Sequence, residues 1–178
     1  MDGGNRLGFF DIDSFISHPL LDPQYVNIQD FVRHREQIAP NVTSPLALAD
    51  QLQQDADQST RVMADVRAKQ TLSATAECEI TDIIAWSAYG RYFAKKLRGG
   101  VALERFRNAG DETQKAEAIA ALERAAEAWR ELTAAVEKYN QREIFTLAPQ
   151  RFSWSGQLPA VLHDIEIARA ARLAPHAP

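Results

Sequence analysis

The apolar residues of this chain fall on helical stripes, and the longest patterned region, Thr71 to Asn140, predicts two long antiparallel helices that meet near Gly110-Asp111. In the first, Ala76, Ile80, Ile83, Ser87, Gly90, Ala94, Leu97 and Val101 make one stripe. Trp86, Tyr89, Phe93, Gly100 and Leu103 make a second beside it, so the helix is covered on more than one side. Each glycine in a helix interior costs about 1 kcal/mol against alanine. The helix is nevertheless expected to continue through Gly99-Gly100, because no proline or turn cluster follows before Asn108-Ala-Gly110 and burial of Val101, Leu103 and Phe106 outweighs the penalty. In the second helix Asp111 is the expected N-cap, with Glu112 in the first turn facing the positive end of the macrodipole. Ala118, Ala121, Ala125, Ala128, Leu132, Ala135 and Tyr139 then form a seam for close packing, and charged residues occupy the remaining solvated face.

Two further long helices flank this hairpin. Ser44-Pro45 is a strong start, serine at N-cap and proline at the first helical position, and the helix is expected to reach about Gln70 with Leu48, Leu52, Ser59, Val62 and Val66 as one stripe and Ala49, Ala56 and Met63 alongside. Its middle, Asp55 to Thr60, is polar and expected to face water. A last helix opens near Pro159, buries Leu158, Val161, Leu162, Ile165 and Ala168, and is expected to end at Pro175. Upstream, residues 24–38 fit a short amphipathic helix with Tyr25, Ile28, Phe31 and Val32 inward and Pro40 as its stop. Residues 1–23 read as an extended arm: glycines loosen its start, Phe9, Phe10, Ile12, Phe15 and Ile16 make it sticky, and His18-Pro19 and Asp22-Pro23 impose turns. Such an arm needs a surface on this chain, on a second copy or on another domain. The fold class is therefore all-α, an antiparallel bundle of about four principal helices with an extended N-terminal arm. It forms one structural domain: residues 1–40 are arm plus short helix, residues 41–173 the bundle, and residues 174–178 a tail.

Composition narrows the chemistry. With 178 residues, 46% hydrophobic and 25% charged, the chain is an ordinary globular domain. A net charge of −4 with interspersed signs gives no case for nucleic acid or an anionic membrane. The single cysteine, Cys78, excludes an internal disulfide and reads as a small buried hydrophobe. No apolar run approaches a membrane span, and the start MDGGNRLGFFDID lacks the regions of a signal peptide.

No catalytic, cofactor or metal constellation emerges. A di-iron bundle needs Glu-x-x-His on two helices, and the chain holds only the reversed order, His163 to Glu166, once. Zinc, phosphate-loop and nucleophile-elbow motifs are missing. Asp11 and Asp13 suggest a turn or a cap at Asp13 rather than a metal pair, since no third ligand is spaced to help. The irregular segment REIFTLAPQRFSWSGQL is aromatic and basic, and Arg151, Phe152 and Trp154 are its candidates for carbohydrate contact: rings stack on pyranose faces and arginine pairs with an acidic sugar. The preferred role for Phe145, Phe152 and Trp154 is to plug the end of the bundle.

The succession DPQYVNIQDFV, SPLALADQLQQDAD, EITDIIAWSAYGRYFAKKLRGGVALERFRNAGD and VLHDIEIAR, from Phe9 to Arg169, resembles the C-terminal helical region of large bacterial polysaccharide-degrading glycoside hydrolases. The resemblance implies a non-catalytic ancillary domain that supports an upstream catalytic domain or its substrate cleft. In that family the hydrolytic carboxylates lie upstream, so no catalytic residue carries over. Asp82 and Asp164 match acidic positions in the pattern, and a salt-bridge or capping role is expected for both. Parent enzymes act outside the cytoplasm, which leaves localisation open for a chain without an export signal. The alternative is a free-standing helical module that binds a partner protein, or itself, through an exposed apolar groove or through the arm.

Overall fold

The computed structural model describes residues 9–145 and 151–174. Its centre is α4, Ala74–Ala109, a helix of 36 residues and about 54 Å. On one side lies α3, Pro45–Lys69, and on another α5, Glu112–Val136. Cross-helix pairs fix the directions. Asp50 meets Arg98, Gln53 meets Lys95 and Arg67 meets Glu77, so α3 and α4 are antiparallel. Ala118 lies against Gly99 and Glu131 against Arg91, so α5 runs back along α4. The last helix, α6 at Leu158–Ala170, returns along α5, with Arg169 bonded to Glu123. The predicted all-α antiparallel bundle is the observed architecture.

Local sequence sets the helix ends. Ser44 Oγ accepts the Ala47 N–H, Ser73 Oγ the Ala76 N–H and Asp111 Oδ1 the Thr113 N–H, so each side chain satisfies an otherwise orphaned donor. Gly110 closes α4 at φ 75°, its N–H bonded to Phe106 O, a left-handed cap that glycine adopts without a side-chain penalty.

The helix α4 does pass through Gly99-Gly100, for a reason that lies outside α4 itself. A Cβ on Gly99 would meet Leu122 Cγ at 3.0 Å, and one on Gly100 would meet Ile28 Cδ1 at 2.8 Å. The missing side chains let α5 approach at one glycine and α2 at the next. Propensity is given up for packing.

Four expectations are modified. The arm is not extended throughout: Ile12–Ser17 forms a short helix, α1, and Ile12 and Ile16 are fully buried against α2, α4 and α6. Its cap is Asp11, which accepts the Ser14 N–H, while Asp13 pairs with Arg107. The second short helix, α2, covers only Ile28–Arg33: Asn27 caps it by accepting the Asp30 N–H, and Arg35 and Glu36 at positive φ end it before Pro40 is reached. Tyr25 consequently lies outside the helix and is exposed. On α3 the fully buried line is Pro45 with Ala49 and Ala56 of the expected neighbouring stripe, while Val62 of the main stripe is exposed, because small residues are what the close approach to α4 accepts. Finally, α5 stops at Val136, where the apolar seam gives way to EKYNQR, and Tyr139 is half exposed. Trp86, level with Val136 at the end of α5, is 70% exposed although it falls on a predicted apolar stripe.

After α5, Ile144–Phe145 (β1) and Arg151–Phe152 (β2) pair antiparallel, and a 3-10 turn at Ser155–Gln157 leads into α6. That helix ends at Ala170, ahead of the expected stop. Pro175 lies outside the described residues.

Candidate binding groove

The arm is held by a buried ion pair. Lys96 on α4 and Asp164 on α6 face each other at 2.8 Å with each side chain only 2% exposed. Asp164 Oδ1 also accepts the Ile12 N–H at 2.7 Å, and Lys96 Nζ donates to Phe10 O at 2.5 Å while lying 4.0 Å from the centroid of the Phe9 ring. The ammonium thus meets a carboxylate, a carbonyl and an aromatic face, and burial of the pair is compensated. Burial pulls the Lys96 ammonium below its ordinary value against the opposing pull of Asp164, and pushes the Asp164 carboxyl up against the opposing pull of Lys96. For Asp164 the expected salt-bridge role is what the structure shows. Lys96 was not singled out in the sequence; its signal was its place on the second stripe of α4, three residues after Phe93 and four before Gly100.

Pinning the arm builds a groove. Phe10 and Phe15 of the arm form one wall, Leu48 and Leu52 of α3 the opposite wall, and Phe93 and Leu97 of α4 the floor. Leu20, Leu21, Tyr25 and Val26 close one end, giving a half-open apolar cavity of about 600 Å³, inside the usual range for ligand sites. Its polar side chains are His18, Asp22, Asn27, Thr43 and Ser44. Asn27 and Ser44 are committed as helix caps, and Asp22 Oδ1 accepts the Gln24 N–H at 2.9 Å. The His18 ring meets Phe10 edge to face, 4.9 Å between centroids. Among the described residues no lysine or arginine lines the groove. Leu21 on its rim is fully exposed, and Phe10 is 51% exposed.

The candidates for carbohydrate contact lie elsewhere, at the end of the bundle. Trp154 packs 5.6 Å from Trp129 and 5.5 Å from Tyr89, and its carbonyl accepts the Trp129 Nε1–H at 2.9 Å. Phe152 stands edge-on to Trp154 at 5.2 Å, and Arg151 pairs with Glu143. Phe145 joins them through backbone pairing with Arg151; its side chain lies outside the described residues. The indole open to solvent is Trp86, beside exposed Asp82 at a small cleft of about 120 Å³ that reaches Tyr89 and Trp154.

Asp82, Asp164 and Glu166 are not brought together: Asp164 is committed to Lys96, Glu166 pairs with Arg169, and Asp82 stands at the opposite end of α4 from α6's last turn. Among the described residues no group of three or more histidine, cysteine or carboxylate side chains could hold a metal ion, and no helix is long and apolar enough to cross a membrane. Cys78 is half-buried rather than part of the core. No protein-family model, curated protein or solved structure matches this chain.

Proposed function

We propose that this protein is a non-catalytic helical interaction module whose working surface is the apolar groove between the arm and α3–α4. The observation that carries this reading is the combination of a 600 Å³ apolar concavity with apolar residues, Leu21 and Phe10, standing exposed on its rim. Exposed apolar surface of this kind around a concavity marks an interaction site. The Lys96–Asp164 pair supports the reading by fixing one wall. The test is a photoreactive amino acid placed at Leu21, and at exposed Gln54 as a control, in the full chain expressed in its source organism. A discrete adduct from position 21 that position 54 does not give is the expected result; identical patterns from both positions would sink the proposal.

A second reading, the ancillary domain of a polysaccharide-degrading hydrolase, is favoured by the other end of the molecule. An exposed indole at Trp86 offers a flat face for a sugar ring, and Asp82 beside it offers acceptors for hydroxyl groups. Titration with neutral and acidic oligosaccharides, followed by tryptophan emission, tests it. A response that Trp86→Ala leaves intact would rule that cleft out.

A further inference from the structure

We infer that the seat holding the arm also takes the arm of a second copy of this chain, so that two copies exchange residues 9–17. This goes beyond the groove reading and does not depend on any guest there.

The seat binds the arm as it would a peptide. Lys96 Nζ donates to Phe10 O and Asp164 Oδ1 accepts the Ile12 N–H, so side chains of two different helices grip the main chain at positions two residues apart. Ile12 Cδ1 and Ile16 Cγ1 each lie 3.4 Å from where a Cβ of Gly100 would stand, Phe9 meets Trp129 edge to face at 5.9 Å, and Asp13 pairs with Arg107. All of these partners lie C-terminal to the stretch that joins the arm to α2. An arm from another copy therefore finds the same contacts, and the closed and exchanged forms differ only in the joining stretch and in the entropy of association. An empty seat is costly, because the buried pair loses two hydrogen-bond partners and Ile12 and Ile16 pass into water.

The joining stretch favours opening. Residues 17–25 are exposed, and among the described residues no backbone hydrogen bond ties His18 to Leu21 to the bundle. His18 already has extended backbone, φ −62° and ψ 125°, as the following proline favours. Straightened, Ser17 to Asp22 span about 20 Å, which lets the arm leave its own seat while α2 stays in place. Leu20 is half exposed and Leu21 fully exposed; in a symmetric exchange the two stretches cross at the twofold axis, which takes these leucines out of water. Exchange also changes what makes up the groove, since its Phe10 and Phe15 wall then comes from the second copy.

The test is a charge swap in the full chain at the partly exposed Asp13–Arg107 pair, which leaves the core untouched. Asp13→Arg and Arg107→Asp each set like charges together within one chain, whereas the arm of either variant meets an opposite charge in the seat of the other. The parent, each variant, and an equal mixture with one variant isotope-labelled are refolded from urea at about 1 mM, the order of the effective concentration of a short tether. Light scattering and native mass spectrometry then read size and composition. The parent is expected to form dimers that dilution dissolves only slowly, because release breaks the buried pair. In the mixture heterodimers are expected to outnumber homodimers about fivefold. Monomers throughout would overturn the inference. Dimers with heterodimers and homodimers at parity would overturn it too, by showing that copies associate without exchanging arms.

Discussion

Lys96 and Asp164 come from helices 68 positions apart in sequence, yet their 2.8 Å contact deep in the core also holds the arm through Phe10 O and the Ile12 N–H. Asp164→Asn leaves a buried ammonium facing a neutral amide, and removing one partner of a buried pair costs about 3–5 kcal/mol. The double variant Lys96→Met/Asp164→Leu is expected to recover only part of this loss. It removes both charges but also strips the Ile12 N–H and the Phe10 carbonyl of their partners, at about 1–3 kcal/mol for each one left buried and unsatisfied. Urea unfolding at pH 7 measures both. A loss below about 1 kcal/mol for Asp164→Asn would mean that the pair is not desolvated as the structure has it.

Two glycines of α4 are expected to respond oppositely to alanine. At Gly90 a Cβ would rest 3.6 Å from Leu52 O and 3.7 Å from Ala56 Cβ, ordinary contacts, so Gly90→Ala is expected to stabilise by up to about 1 kcal/mol through helix propensity alone. At Gly100 the same methyl meets Ile28 Cδ1 at 2.8 Å, with Ile12 and Ile16 at 3.4 Å blocking its retreat. Overpacking there exceeds the propensity gain, and a net loss of about 1 kcal/mol is expected. Thermal unfolding of the two variants side by side decides it.

The protein contains three tryptophans, and their surroundings predict an emission experiment. Trp86 is exposed and Trp129 is buried within the aromatic cluster of Tyr89, Tyr92 and Trp154. Iodide should quench a fraction of the emission that Trp86→Phe abolishes and Trp129→Phe does not. Trp129→Phe should in addition destabilise the fold by about 1 kcal/mol, the net worth of its bond to the Trp154 carbonyl.

Asp11 links the arm to acid. The backbone hydrogen bond from Ser14 holds its carboxyl below the ordinary 3.8. A carboxyl lowered in the folded state contributes stability that is present above pH 3.8 and is lost as pH falls through the folded value. Asp11→Asn keeps an acceptor for the cap and removes the titration, so the difference in stability between the parent and this variant should be constant near neutrality and change below pH 3.8. Asp11→Ala should cost about 1 kcal/mol at pH 7. Denaturant midpoints from pH 7 to pH 3 provide the check.

The groove was not legible in the sequence, and the reason is distance along the chain. Its walls come from the arm, the start of α3 and the middle of α4, so no single stretch carries its signature. Leu48, Leu52, Phe93 and Leu97 were each readable as apolar helix positions, and Phe10 and Phe15 as sticky arm residues. Nothing local says that the arm crosses the same surface and leaves a gap. Lys96 shows the same limit: beside Lys95 it looks like solvated charge, and only the approach of Asp164 and the Phe10 carbonyl makes an interior position tolerable.

The sequence by itself determined the four long helices, their order and most of their ends, because propensity, apolar periodicity and capping by Ser44, Ser73, Asp111 and Gly110 act within a few residues. It also determined that α4 would be covered on several sides. Only the tertiary structure decided where the arm lies and that Gly99 and Gly100 serve as seats for Leu122 and Ile28. It also left Trp86 in water beside the end of α5. These outcomes depend on how closely two surfaces approach, and that distance is set jointly by side chains far apart in the chain.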